Sequence, residues 1–178
     1  SGVRATPSRP EMEPLQIYER LKQRFSDKIL ETGGKPDPFA VIDSGAIDEV
    51  CRFLRDDPET ALDCLSNETG VDYNDRIEVV YHLFSYKYHH GCVLKVKLPR
   101  DNAVVVTVES IWNAANWMER EIFDLLGVTF VGHSDMRRIL MPEDWPGHPL
   151  RKDFVEPQEY HGISTVRESP IIRLDQKH

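Results

Sequence analysis

Residues 92–98 read Cys-Val-Leu-Lys-Val-Lys-Leu, and this alternation constrains the fold more than any other stretch. A period of two puts Cys92, Leu94, Val96 and Leu98 on one face of a strand and leaves Lys95 and Lys97 toward water. A strand buried on one side requires a sheet, and the sheet requires an apolar layer against it. Residues 77–84, Ile-Glu-Val-Val-Tyr-His-Leu-Phe, mix alternation with β-branched and aromatic side chains and read as a second strand. His89-His90-Gly91 supplies a turn between the two. Pro99-Arg100-Asp101-Asn102 supplies another, leading to a third strand at 104–108. Two tight connections in succession predict an antiparallel meander of these three strands.

Helical patterns flank the β region. Leu15, Tyr18, Leu21, Phe25 and Ile29 recur at spacings of three and four, with Gly33-Gly34 as the stop. Residues 39–42 read as a short strand. Ile47, Val50, Cys51 and Leu54 then form the stripe of a second helix, capped by Asp43 or Ser44 and ended by Asp57-Pro58. Residues 61–65 fit a helical turn or a strand entry equally, and Asn67, Gly70 and Asp72 read as loop chemistry. A third helix begins near Ser110, shows Ile111, Ala115, Met118, Ile122 and Leu126 on one face, and stops at Gly127. Residues 128–131 suit a short strand. The pattern implies an α+β two-layer sandwich, with helices packed on a mixed, largely antiparallel sheet and an extended C-terminal tail. The organisation expected is a flexible arm at 1–14, a core domain at 15–132, a loop region at 133–154 and the tail at 155–178.

Composition narrows the function. A net charge of −8 on 178 residues argues against binding a phosphate backbone. Ala103-Val104-Val105-Val106 is among the longest apolar runs, far short of a bilayer span, and Ser1-Gly2-Val3-Arg4 holds no apolar signal region. Cys51, Cys64 and Cys92 are odd in number, widely spaced and without a C-x-x-C pair. They suit buried thiols in a reducing compartment better than a disulfide, zinc or iron–sulfur framework.

The densest motif runs from Trp112 to Phe154. Glu119, Arg120 and Glu121 are followed by Asp124, Leu125 and Leu126, then His133, then Arg137 and Arg138 before Ile139-Leu140. Pro142-Glu143-Asp144-Trp145-Pro146 leads into Gly147-His148-Pro149-Leu150-Arg151-Lys152-Asp153. This constellation resembles the signature of the thirty-kilodalton subunit family of respiratory complex I, and the likeness extends over residues 15–170. Two positions depart from the family pattern. Ser134 stands where Pro is usual, and no Pro lies near Asn113. Both affect local loop shape and leave the charged positions intact.

The resemblance implies a non-catalytic assembly subunit in the peripheral arm of NADH:quinone oxidoreductase, supporting NADH-to-quinone electron transfer coupled to proton translocation. It implies that this chain binds no cofactor, with FMN, iron–sulfur clusters and quinone held by other subunits. It also implies partners in subunits D, B and I, and a location on the cytoplasmic face of a bacterial inner membrane or the matrix side of the mitochondrial one. The equivalent subunit of a membrane-bound hydrogenase is the alternative. Glu119, Arg120, Glu121, Asp124, His133, Arg137, Arg138, Asp144, His148, Arg151 and Asp153 are the expected interface or structural residues.

The residues allow specific physical roles. Arg120 and Asp124 stand at i,i+4 and can pair along the helix. Glu119 sits at the margin of the apolar stripe and needs a fixed partner, with Arg137, Arg138 and Arg151 as candidates. Bidentate pairs between helix carboxylates and loop arginines are expected to lock residues 133–154 onto the helix. His133 and His148 invite a metal reading with Glu143 or Asp144 as third ligand, but the spacing matches no common ligand motif, and histidines bonded to carbonyls or carboxylates fit better. A hydrolase using Glu119, Glu121, Asp124 and His133 lacks a nucleophile motif and a phosphate loop.

Overall fold

A computed structural model describes residues 11–166. The expectations for residues 1–10 and 167–178 lie outside the described residues. Helix α1 (Pro14–Arg24) leads into strands β1 (Ile29–Gly33) and β2 (Phe39–Ile42), then helix α2 (Ile47–Asp56). Three long strands follow, β3 (Cys64–Asp72), β4 (Arg76–Phe84) and β5 (Gly91–Pro99). The remainder is β6 (Val104–Val106), α3 (Ala115–Leu126), β7 (Thr129–Val131) and a hairpin of β8 (Glu159–Tyr160) with β9 (Ile163–Ser164).

Five strands form one sheet in the order β1-β2-β5-β4-β3. Only the β2–β5 pairing is parallel, so the sheet is mixed and largely antiparallel. Alternation decides which face packs. Tyr81, Val79 and Ile77 of β4 and Leu94, Val96 and Leu98 of β5 join Ile17, Leu21, Val50, Leu54, Ala115 and Ile122 of the helices in a single core. Each fully buried Leu or Ile there contributes about 1.5–3 kcal/mol by leaving water. The expected α+β sandwich is the fold that forms.

Several local expectations are corrected. The first helix ends at Arg24, and Ile29 opens β1. A turn closed by the Lys28 amide on the Phe25 carbonyl breaks the helix, and pairing of Ile29 with Ile42 overrides the helical spacing. Asn67, Gly70 and Asp72 belong to β3, where they pair with His82, Val79 and Ile77. Tertiary pairing again outweighs polar composition. The meander is therefore β3-β4-β5. Strand β6 leaves that sheet and pairs in parallel with β7.

The third helix starts at Ala115 because the Ile111 and Trp112 amides both close a separate turn on the Val108 carbonyl. Ser110 does not cap it. Asp43 likewise shapes the turn before α2 through the Gly45 amide at 2.9 Å and is not its N-cap. Gly127 does end α3, at φ +75°. Within the tail, residues 159–164 form the β8–β9 hairpin in place of the expected extended run.

Candidate functional site

Helix α3 and the loop behind it carry most of the signature residues, and the loop has no regular structure between 133 and 154. Loops of this length stay ordered only when their backbone groups find fixed partners. Asp124 supplies the central one. Its carboxylate is fully buried and accepts from the amides of Ile139 (3.1 Å), Leu140 (2.7 Å) and Met141 (2.8 Å), and from Arg138 Nη1 (2.8 Å). Burial alone would raise its pKa, but three backbone donors and the guanidinium outweigh that and hold it below the usual carboxylate value. Arg138 also donates to the carbonyls of Trp145 (3.1 Å) and Gly147 (3.0 Å), drawing the second half of the loop inward.

His148 sits under the end of α3. Its Nδ1 meets the Asp124 carbonyl at 2.9 Å, and its ring fills the space a side chain at 127 would need. A Cβ on Gly127 would lie 2.6 Å from the ring, so glycine serves both the left-handed backbone and the histidine. Farther along, the Lys152 amide donates to Asp72 at 2.7 Å, and Arg100 bridges Asp72 to Asp153. Arg151 Nη2 reaches the Arg100 carbonyl at 3.0 Å. The loop is thus tied to the end of β3 as well as to α3.

Glu119 departs from the expectation. It pairs with no loop arginine. Its buried carboxylate accepts from the Thr107 hydroxyl and from the Val108 amide at 2.8 Å, while His133 Nε2 lies 3.9 Å away. The Thr107–Val108 turn therefore uses the acid that sequence spacing assigns to the loop. Arg120 does not pair with Asp124 either. It donates to the carbonyls of Arg137 (3.1 Å) and Arg138 (3.4 Å) and nears Asp135 at 4.0 Å. Arg137 pairs with Asp135 inside the loop, and Arg138 contacts Asp124 through one nitrogen, so neither forms the expected fork with a helix acid. Glu121 is exposed, and among the described residues no hydrogen bond or ion pair engages it.

His133 Nε2 meets the Asn116 carbonyl at 3.1 Å, and its Nδ1 accepts the Asp135 amide. Asp144 binds Tyr160 (2.6 Å) and His161 (2.7 Å) of the terminal hairpin. The two signature histidines are thus engaged by different segments, and no group of three or more His, Cys, Asp or Glu suited to a metal occurs among the described residues. The Ser134 hydroxyl donates to Glu109, not to His133, so the adjacent Ser and His form no relay.

Sequence reasoning misses Glu109, Thr107, Asp135, Asp72 and Arg100. Glu109 receives the Ser134 amide (2.8 Å), the Ser134 hydroxyl (2.6 Å) and Asn116 (2.7 Å), and these donors bring its pKa down to about 2. Asp72 and Arg100 carry one usable signal, charged residues placed where long strands end.

Comparison with known proteins decides the family. Residues 40–160 match the family described as "Respiratory-chain NADH dehydrogenase, 30 Kd subunit". The chain belongs to that family. An NADH-quinone oxidoreductase subunit of Roseiflexus castenholzii is 52% identical over 141 residues, which are 77% of this chain and 81% of the relative. Its namesake in Chlorobium phaeobacteroides is 36% identical over 154 residues, covering 84% and 93%. Among solved structures, a trypsin-resistant fragment of Nqo5 superposes with a TM-score of 0.56 at 24% identity, over 67% of this chain and 98% of the fragment. A chain of an archaeal membrane-bound sulfane sulfur reductase reaches 0.62 at 24%, over 79% and 85%. At that identity the structural likeness speaks for a shared fold. No helix among the described residues is long and apolar enough to cross a membrane.

Proposed function

We propose that this chain is a non-catalytic structural subunit of the peripheral arm of NADH:quinone oxidoreductase, and that α3 with residues 133–154 is its docking surface. One observation carries the docking reading. Backbone amides of the loop and the Arg138 side chain turn inward, onto Asp124, Asp72 and Glu109, while large apolar side chains turn out among exposed charges such as Arg137 and Asp153. Trp117 is 64% exposed, Leu140 and Leu150 are each 60% exposed, and Val155 is 85% exposed. A rigid frame that presents aromatic and aliphatic anchors is the form of a protein interface, not of an enclosed reaction site.

On this reading FMN, iron–sulfur clusters and quinone are held by partner subunits, with D, B and I as the neighbours. The chain sits at the cytoplasmic face of a bacterial inner membrane or its matrix-side equivalent. Family membership supports the assignment to the complex.

The test is a tagged chain expressed in its native membranes, compared with Leu140→Asp and Leu150→Asp. The wild type should co-purify with the other peripheral-arm subunits and NADH–quinone activity. The variants should fold as monitored by circular dichroism but lose that co-purification. Unchanged assembly with both variants would remove the docking surface. Co-purification with hydrogenase subunits would assign the chain to that related complex instead.

A further inference from the structure

Beneath α3 the core contains an acid with no hydrogen-bond partner among the described residues. Glu68 of β3 is 4% exposed, and neither of its carboxyl oxygens has a hydrogen-bond partner among the described residues. In the sheet it stands opposite Tyr81, whose hydroxyl is equally buried and unpaired. The other groups facing it are acids or neutral. Helix α3 contributes Glu119 and, at the rim of a cavity of about 40 Å³ that Glu68 also lines, Glu121. Helix α2 contributes the buried Cys51 thiol, and the loop adds the uncharged Leu150 to the lining of the cavity. No ion pair reaches Glu68 from any Lys, Arg or His among the described residues.

An ionised carboxylate in such a place has no counter-charge and little contact with bulk solvent, and the group neutralises instead. The two buried acids are unequally served. Glu119 accepts two hydrogen bonds from Thr107 and Val108, which favour its charged form, whereas Glu68 has none. We propose that Glu68 binds a proton at neutral pH and that this proton keeps α3 seated on the sheet. Burial, with Glu119 nearby, pushes Glu68 well above the carboxylate range. Burial also moves Glu119 up to about 7 against the pull of Thr107 and Val108.

The sheet and the helix approach closely beside the acid. Two residues beyond Glu68, a Cβ on Gly70 would lie 2.3 Å from Leu126 Cδ1 of α3. The same helix carries Asp124, so the proton is linked to the frame of the loop. This reading does not depend on the assembly role, because it concerns the isolated chain.

The experiment uses the full chain with ¹³C-labelled glutamate carboxyls, observed by NMR at about pH 8. One carboxyl should keep the shift of a neutral acid, lose it in Glu68→Gln and keep it in Glu119→Gln. Carboxylate shifts for every glutamate would overturn the proposal, as would a neutral signal that survives Glu68→Gln. Should that variant fail to fold, through-bond assignment of the signal in the wild type decides between the same outcomes. Amide exchange of α3 gives the second readout. Above about pH 7 the opening constant, corrected for intrinsic exchange, should rise about tenfold per pH unit while the native state alone retains the Glu68 proton. A constant that stays flat there would refute the link to helix seating.

Discussion

Asp124 and Arg138 meet at 2.8 Å, and this contact joins α3 to a loop that has no secondary structure of its own. The acid is fully buried and also accepts three consecutive loop amides, so it replaces the backbone partners that a strand or helix would have given residues 139–141. Asp124→Ala strands those donors and the guanidinium together. Breaking a buried, hydrogen-bonded charge pair costs about 3–5 kcal/mol. Chemical denaturation should show a loss of that order. The pair with Arg138→Ala should be non-additive by about 1–3 kcal/mol, since both changes remove one shared contact. The pKa of Asp124 is held low, so its contribution is present above the unfolded carboxylate value and is lost as pH falls below it.

How far the sequence reveals this arrangement depends on whether the deciding interaction is local. The strands at 77–84 and 92–98 and the stripe of α2 are set by alternation and helical spacing, which act over a few residues, and they form as read. Ile29 and Gly70 escape a local reading because their fate is settled by partners far along the chain, the β2 edge and Leu126. The same holds in the loop. Spacing along the chain offers Asp124 to Arg120 and Arg138 to Glu119, and only the fold brings Asp124 and Arg138 together. The choice of Thr107 and Val108 by Glu119 depends on where β6 ends, which no local pattern encodes.

Gly127→Ala tests the close of α3. The position has φ +75°, where a Cβ costs about 1–2 kcal/mol, and the added carbon would stand 2.6 Å from the His148 ring. His148 must then leave the Asp124 carbonyl. The thermal midpoint should drop by more than the backbone penalty alone predicts. A second substitution, His148→Ala, should recover part of the loss by vacating the space. Equal losses in the presence and absence of His148 would show that the ring is not the obstacle.

Glu109 sets an acid limit. Ser134 donates through both its amide and its hydroxyl, and with Asn116 it brings the Glu109 pKa down to about 2. A depressed acid contributes stability above its unfolded pKa and loses it as pH falls through the folded one. The window therefore runs from the ordinary glutamate value near 4.5 down to about 2. Ser134→Ala removes one donor and Ser134→Pro removes both. Titration of the Glu109 carboxyl by NMR should show its pKa rising in that order toward the ordinary value, with the acid unfolding midpoint moving up in parallel.

The far end of the loop is held separately, and the separation is itself testable. The Lys152 amide donates to Asp72 at 2.7 Å, and Arg100 spans Asp72 and Asp153, at the end of β3 rather than on α3. Asp72→Ala leaves a backbone donor and a partly buried guanidinium short of an acceptor, a loss of about 1–3 kcal/mol. Hydrogen exchange should then quicken in residues 148–154 and not in 139–141, while Asp124→Ala should do the reverse. If the two anchors act independently, the stability losses of the double variant will sum to within about 0.5 kcal/mol. A large coupling would mean that the loop behaves as one cooperative body, in which releasing either end frees the whole segment that bears Leu140 and Leu150.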